Sequence, residues 1–336
     1  MKPLRHLSAA EVSAAMPTLP ERLALAERTM QALGRNAELP PKIGVHPRQQ
    51  GSLAHAMPAL LSGDAADGSA DLLGAKWITG FPANPGRGLP TYHALVLLND
   101  PVTGEPLAVM DAATITAQRT AAISGTIIRH FVPGGMGRGG AARVALLGAG
   151  AQARSHMPVI AWLLPGARIR VTDVDGTRAA ALALEASGID GIGSAEAVES
   201  VREAVESADV VVSVVSFGPN RQALDPAWLL PEMLFVAVDY DMQAPAELAR
   251  GAGFIVDDRE QFLATRSADT FAGYPDPDAT IGEVLGGDAP ARPGLGSEPA
   301  GRILVSHLGV GLADVVFASA ILARAEQLGL GRILPR

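Results

Sequence analysis

"VALLGAGAQARSHM", residues 144–157, reads as an apolar strand, a turn built on two glycines and the opening of a helix. The glycines have a physical reason. The backbone must reverse tightly at Gly148, and at Gly150 it must approach whatever lies above it with no Cβ in between. The position a third glycine often fills asks only for a small side chain where helix packs on strand, and Ala153 meets that need. The helix amides from about Ala151 onward then point at an anion. Twenty residues beyond Ala153, a second apolar run, "RIRVTD", closes on Asp173, placed to accept ribose hydroxyls. An ordinary turn of small residues would also use such glycines. Strand, turn, helix and acid in this order point instead to a pyrophosphate cradle for a dinucleotide. A carboxylate at Asp173 repels a 2′-phosphate, which favours NAD(H) over NADP(H), and Arg178 nearby tempers that preference.

Downstream of the cradle, strand and helix patterns alternate through "ARSHMPVIAWL", "TRAAALALEAS", "ADVVVSVVS", "LLPEMLFVAVDYD" and "GFIVDD". This pattern predicts an α/β, Rossmann-type, doubly wound parallel sheet. Upstream the texture differs. "LSAAEVSAAM" opens with a capping box from Ser8 to Glu11. "PERLALAERTMQALG" has Pro20 at its start, Gly34 at its stop and Leu23, Ala26, Met30 and Leu33 as its apolar stripe. "KIGVHP", "AHAMPALL", "AKWITGF" and "TYHALVLLND" are strand-like, and "LNDPVTGEPLAVMDA" reads as a hairpin. Sequential strands with short turns predict a separate α+β domain on an antiparallel sheet. The amphipathic "GLADVVFASAILARAEQLGLG" is expected to pack back on that domain, giving residues 1–120 plus 310–336 and residues 121–309 as the two domains. "VPGGMGRGGAA" reads as the boundary and "GGDAPARPGLGSEPAGR" as a loop.

Bulk properties narrow the function. The chain has 336 residues, 48% of them hydrophobic, enough for two cores. Its net charge of −8 and its scattered basic residues argue against a nucleic-acid partner. There is no cysteine, so disulfides, thiolate metal sites and a cysteine nucleophile are excluded. The seven histidines show no metal-ligand spacing, and no G-x-S-x-G elbow appears. The amino terminus lacks the apolar run of a signal peptide, and no stretch is long enough to span a bilayer. A soluble cytoplasmic protein is expected.

Charges stand where the pattern calls for apolar groups. In "TITAQRTAAISGTIIRHF", Arg119 falls on the stripe of Ile115, Ile123 and Ile127. A guanidinium there needs an anion, either an Asp or Glu of the chain or the carboxylate of a substrate. Lys76 interrupts an apolar strand and Lys42 begins another; for each alone a solvated strand end is the simpler reading. Together, three cations from three elements of one domain can converge on one anionic ligand. "FVAVDYDMQAP" ends an apolar strand in Asp239 and Asp241, where open α/β sheets bind ligands and where turns also favour Asp.

The segments "PPKIGVH", "MPALL", "GAKWITGFPAN", "ITAQRTAAISG", "GAGAQARSH" and "HLGVGLADVV" resemble the ornithine cyclodeaminase/μ-crystallin family, over nearly the whole chain. The resemblance implies a homodimer built through the N-terminal domain, NAD(P) on the Rossmann domain and a site between the two. By position it makes Lys42, Lys76, Arg119 and Asn84 substrate-binding. It makes Asp241, rather than Asp239, the catalytic aspartate, with Lys76 and His55 beside it. It assigns cofactor binding to Thr120, Gly148, Gly150, Ala151, Gln152, Asp173, Ser213, Val215, Ser216, His307 and Gly309, His307 replacing a common serine. One departure stands out: cyclodeaminases of diamino acids carry a glutamate where this chain has His55. An imidazole is a poor partner for an ammonium. The expected function is therefore an NAD(H)-dependent oxidoreductase at the Cα–N bond of a small amino or imino acid. Ornithine or lysine cyclodeamination with ammonia release, and a non-catalytic μ-crystallin-like binding role, are the alternatives.

Overall fold

The structure, a computed structural model, describes residues 3–63, 70–132, 141–217, 221, 224–290 and 301–335. The chain divides into Met1–Arg119 with Gly309–Arg336, and Thr120–Leu308. Most of the glycine-rich boundary and of the loop before Arg302 lies outside the described residues.

The alternating runs of the first unit become Ile43–Val45, Leu53–Leu61, Leu72–Gly80, Tyr92–Asn99 and Pro106–Asp111. The last two form the expected hairpin. Asp100 closes its turn by accepting from the backbone N–H groups of Val102 and Thr103, each at 2.9 Å. Three further strands, Leu4–Leu7, Ala37–Glu38 and Arg332–Leu334, complete an eight-stranded sheet. It is not wholly antiparallel as expected, because Leu4–Leu7 runs parallel to Pro106–Asp111. That strand enters ahead of the helices, so no hairpin turn dictates its direction.

Helix Ala9–Ala14 carries the Ser8–Glu11 capping box, and Leu19–Ala32 has Pro20 in its first turn. Helix Gly311–Gln327 packs on strands Leu53–Leu61, Leu72–Gly80 and Tyr92–Asn99 and on helix Leu19–Ala32. It is less amphipathic than expected: everything from Gly311 to Ala318 is buried, since the helix is covered on more than one side. The approach is close. A Cβ on Gly311 would stand 2.5 Å from the Met57 carbonyl oxygen, and one on Gly74 3.1 Å from Val315.

In the second unit eight strands, all parallel, run in the order Ile192–Ala197, Ala167–Thr172, Arg143–Leu147, Val210–Ser213, Met233–Ala237, Arg302–Ser306, Gly253–Val256, Ala279–Thr280. This is the doubly wound parallel sheet, with the chain order reversing between Arg143–Leu147 and Val210–Ser213. Its core gathers Phe235, Phe254, Phe262, Phe271 and Tyr274. The nineteen-residue helix Ala113–Phe131 contains the boundary between units. Among the described residues no helix is long and apolar enough to cross a membrane.

Candidate functional site

In the first unit the cations meet an acid the sequence reading passed over. Strand residues alternate faces, so Gly74, Lys76 and Ile78 share the face that meets helix Gly311–Gln327. The first turn of that helix carries Asp314, which is fully buried. Lys76 Nζ lies 2.7 Å from Asp314 Oδ2, and Arg119 Nε lies 3.3 Å from Oδ1. The position is favourable for a carboxylate, since helix N-termini attract negative charge. Lys76 is only 2% exposed, so it is not the solvated strand end that its sequence suggests. Arg119 is likewise buried, and the anion it meets is an Asp of the chain, Asp314. Two basic side chains thus share this one carboxylate. Asp314 interrupts "GLADVVFASA" as Arg119 interrupts its own stripe, so the same reasoning would have found it.

Burial pushes the Lys76 ammonium below the ordinary lysine range, with the charges of Arg119 and Lys42 adding and Asp314 opposing. His55 lies on the same sheet face as Lys76. Burial, then the charges of Lys42, His46 and Lys76, lower it to about 4, so its imidazole is neutral at pH 7. Its ring rests on Gly44, where a Cβ would stand 2.9 Å from Cδ2. The structure therefore gathers Lys42, His55, Lys76 and Arg119, and adds His46 and Asp314. Gly309, expected at the cofactor, falls in the first unit. At φ +79° it seats the Arg119 guanidinium, and a Cβ there would stand 2.5 Å from Nη1. The Asn84 amide donates to the Pro90 carbonyl at 2.9 Å and so holds its own loop.

The second unit carries the cradle. Gly148 has φ +100°, and a Cβ there would stand 3.0 Å from the Val214 carbonyl oxygen. Gly150 caps helix Ala151–Leu163 with no side-chain cap, and Ala153 is fully buried. Gln152 Oε1 is buried without a hydrogen-bond partner among the described residues. Asp173 accepts from the N–H of Ala149 at 2.7 Å and of Asp175 at 3.0 Å. It thus pins the turn itself, while each oxygen keeps a second lone pair for a hydroxyl. The Arg178 guanidinium comes within 3.5 Å of a Cβ built on Gly150. An open helix N-terminus, a glycine turn without room for a Cβ, and an acid at the end of the next strand fit a dinucleotide.

Thr120 is buried on helix Ala113–Phe131, and Val215 and Ser216 follow the strand that Ser213 ends. Ser213 is fully buried and donates to Asp239 Oδ2. His307 joins a buried chain. Ser124 Oγ stands 2.9 Å from His307 Nε2 and 2.8 Å from His156 Nε2, while His156 Nδ1 stands 2.7 Å from the Gln152 carbonyl oxygen. A carbonyl only accepts, so His156 Nδ1–H donates to it, Ser124 donates to His156 Nε2, and His307 Nε2–H donates to Ser124.

Asp241 is 3% exposed. It is ion-paired with Arg221, a loop residue that no sequence signal marked, and accepts from the Phe271 N–H at 3.3 Å. Between the two acids, Tyr240 adopts φ +61° and packs on Phe217 and Phe271.

Comparison with known proteins gives the family. A model described as the ornithine cyclodeaminase/mu-crystallin family matches residues 8–328. The nodulation efficiency protein NfeD of Rhizobium meliloti is 32% identical over 99% of this chain and 98% of its own length. Alanine dehydrogenase of Archaeoglobus fulgidus is 30% identical over 90% of this chain and 88% of its own. A solved archaeal alanine dehydrogenase dimer with bound NAD superposes with a TM-score of 0.81 at 26% identity, covering 99% of each chain. Other relatives divide among imino-acid reductases and cyclodeaminases. With its family model matched from the first capping box to the last helix, the chain belongs to the ornithine cyclodeaminase/mu-crystallin family.

Proposed function

We propose that this chain is an NAD(H)-dependent oxidoreductase acting at the Cα–N bond of a small amino or imino acid. The observation that carries the reading is the buried Lys76–Asp314–Arg119 cluster, whose two cations share one carboxylate. Such a cluster binds an anion of carboxylate size, and the guanidinium fork suits it. Bound NAD(H) supplies the hydride exchanged at Cα. Lys76 and Arg119, with Lys42, fix the carboxylate and orient the carbon that reacts. Asp241, with His55, manages the proton of the nitrogen. Gly148, Gly150 and the amides from Ala151 hold the pyrophosphate, and Asp173 the ribose. The negative charges of Asp173 and Asp175 support NAD(H) over NADP(H). A homodimer is part of the reading, formed through the first unit's sheet.

His55 weighs against diamino acids. Its neutral imidazole sits among Lys42, His46 and Lys76, where an ammonium would be repelled. The test is a screen of small imino acids for NADH oxidation, run beside ammonia release from ornithine and lysine in the presence of NAD+. The expected result is NADH-dependent turnover of an imino acid and no ammonia from either diamine. Arg119→Ala should lower kcat/KM by about a hundredfold, the scale of a lost charge-assisted carboxylate contact. Ammonia without net NADH would establish the cyclodeaminase alternative instead.

A further inference from the structure

Asp239 has no part in the reading above, yet it is among the most constrained groups in the second unit. It is 4% exposed. Its Oδ2 accepts the Ser213 hydroxyl, and its buried Oδ1 has no hydrogen-bond partner in another residue among the described ones. Among the described residues no cation pairs with it, whereas Asp241, two residues on, has Arg221. The other charged or titratable neighbours are Tyr274, whose hydroxyl donates to the Ala244 carbonyl, and His307 on the adjoining strand end, whose N–H donates to Ala237 and whose ring turns to Ser124. A buried carboxyl in this setting resists ionisation. Burial first, and then the charge of Asp241, push it up to about 7, against the pull of the Ser213 hydroxyl and of its own backbone N–H.

Its place in the fold indicates what would ionise it. Ser213 ends strand Val210–Ser213, and Asp239 lies two residues past the end of the neighbouring Met233–Ala237, with Ser213 and Ala237 in register. Gly148 abuts Val214 and Val215, so the cradle and this segment adjoin. Ligands of such sheets lie outside the carboxyl ends of the strands, across the point where the order reverses. The adenosine half belongs to Asp173, which leaves the nicotinamide half on the Val210–Ser213 side.

We propose that Asp239 is the charge partner of the oxidised nicotinamide ring, ionised when NAD+ is bound and protonated when the bound cofactor is reduced. The inference rests on the NAD(H) reading above. The ring is positive in NAD+ and neutral in NADH. A buried carboxyl with no cation of its own gains its charge when a positive one arrives, acting through the protein without direct contact. One proton then leaves Asp239 for solvent as NAD+ binds, and none leaves as NADH binds.

The full-length protein is titrated with NAD+ and with NADH by calorimetry near pH 6.5, in two buffers of different ionisation enthalpy. The expected result is release of about half a proton or more per site with NAD+ and none with NADH. NAD+ affinity should rise by up to about tenfold between pH 6 and pH 7, while NADH affinity stays level. Asp239→Asn should keep NADH binding and lose both the proton release and the slope for NAD+. NAD+ binding without proton release, or an Asn variant that keeps the wild-type slope, overturns the proposal; the wild-type measurement decides alone if the variant does not fold. Failure of both nucleotides to bind would overturn the cofactor reading, and the proposal with it.

Discussion

At Asp314 a fully buried carboxylate faces Lys76 and Arg119. Removing one partner of such a group leaves an uncompensated charge in the interior, which costs about 3–5 kcal/mol where it has been measured. Asp314→Asn keeps the volume and removes the charge. Lys76 and Arg119 then face each other across a neutral amide that no longer compensates their charge. The expected outcome is a loss of stability on that scale, read as a lower urea midpoint. In the surviving folded protein KM for the carboxylate substrate should rise while NADH affinity is unchanged. Equal damage to both affinities would mean that Asp314 only holds the fold. Gly309 belongs to the same arrangement, because no side chain fits where it seats the Arg119 guanidinium.

At the scale of elements, helix Ala151–Leu163 is tied to helix Ala113–Phe131 through His156 and Ser124. His156 is fully buried, and burial lowers it to about 4 against the ordinary 6.5. The unfolded chain therefore takes up a proton first as the pH falls. The stability this residue contributes is fully present above about pH 6.5 and is lost as the pH drops toward 4, amounting to roughly 3 kcal/mol. His156→Asn loses a hydrogen bond at pH 7 but no longer pays that penalty. Urea unfolding at pH 7, 6 and 5 should show the two proteins converging toward pH 5; parallel curves would rule His156 out as the cause.

Elements with a strong internal period were legible from the amino acids. The cradle, its flanking strands and the Tyr92–Asn99 hairpin repeat their pattern over enough residues to declare it. Leu4–Leu7 and Arg332–Leu334 did not, since three or four residues carry almost no alternation, and their pairing is settled by chain segments far away in sequence. Arg302–Ser306 was hidden by the Gly- and Pro-rich loop before it. Among the candidate site residues, Arg119 announced itself as a charge on an apolar stripe. Lys76 misled because a strand reveals which face a residue takes but not which face is covered. Arg221 could not be read at all: only the folded chain brings it to Asp241.

At the scale of the whole molecule, the first unit's sheet has one face on helix Gly311–Gln327 and an opposite face that carries an exposed apolar row ending at Asp111. Register aligns Ile43, Ala56, Trp77 and Leu95 across four adjacent strands on that opposite face. Ile43 is 57% exposed, Trp77 46% and Leu95 47%. Monomers rarely leave so continuous an apolar row in water, and a second copy offering the same row can cover it by two-fold symmetry. The wild-type protein is expected to sediment at twice the mass of one chain at micromolar concentration. Trp77→Glu places two like charges near the two-fold axis and should yield a monomer with an unchanged circular-dichroism spectrum, because the altered side chain points away from the core. Leu95→Glu, next to it in register, should do the same. A wild type that sediments as a monomer would overturn the assignment. So would a Trp77→Glu protein that stays dimeric, since any other dimer would leave this face exposed.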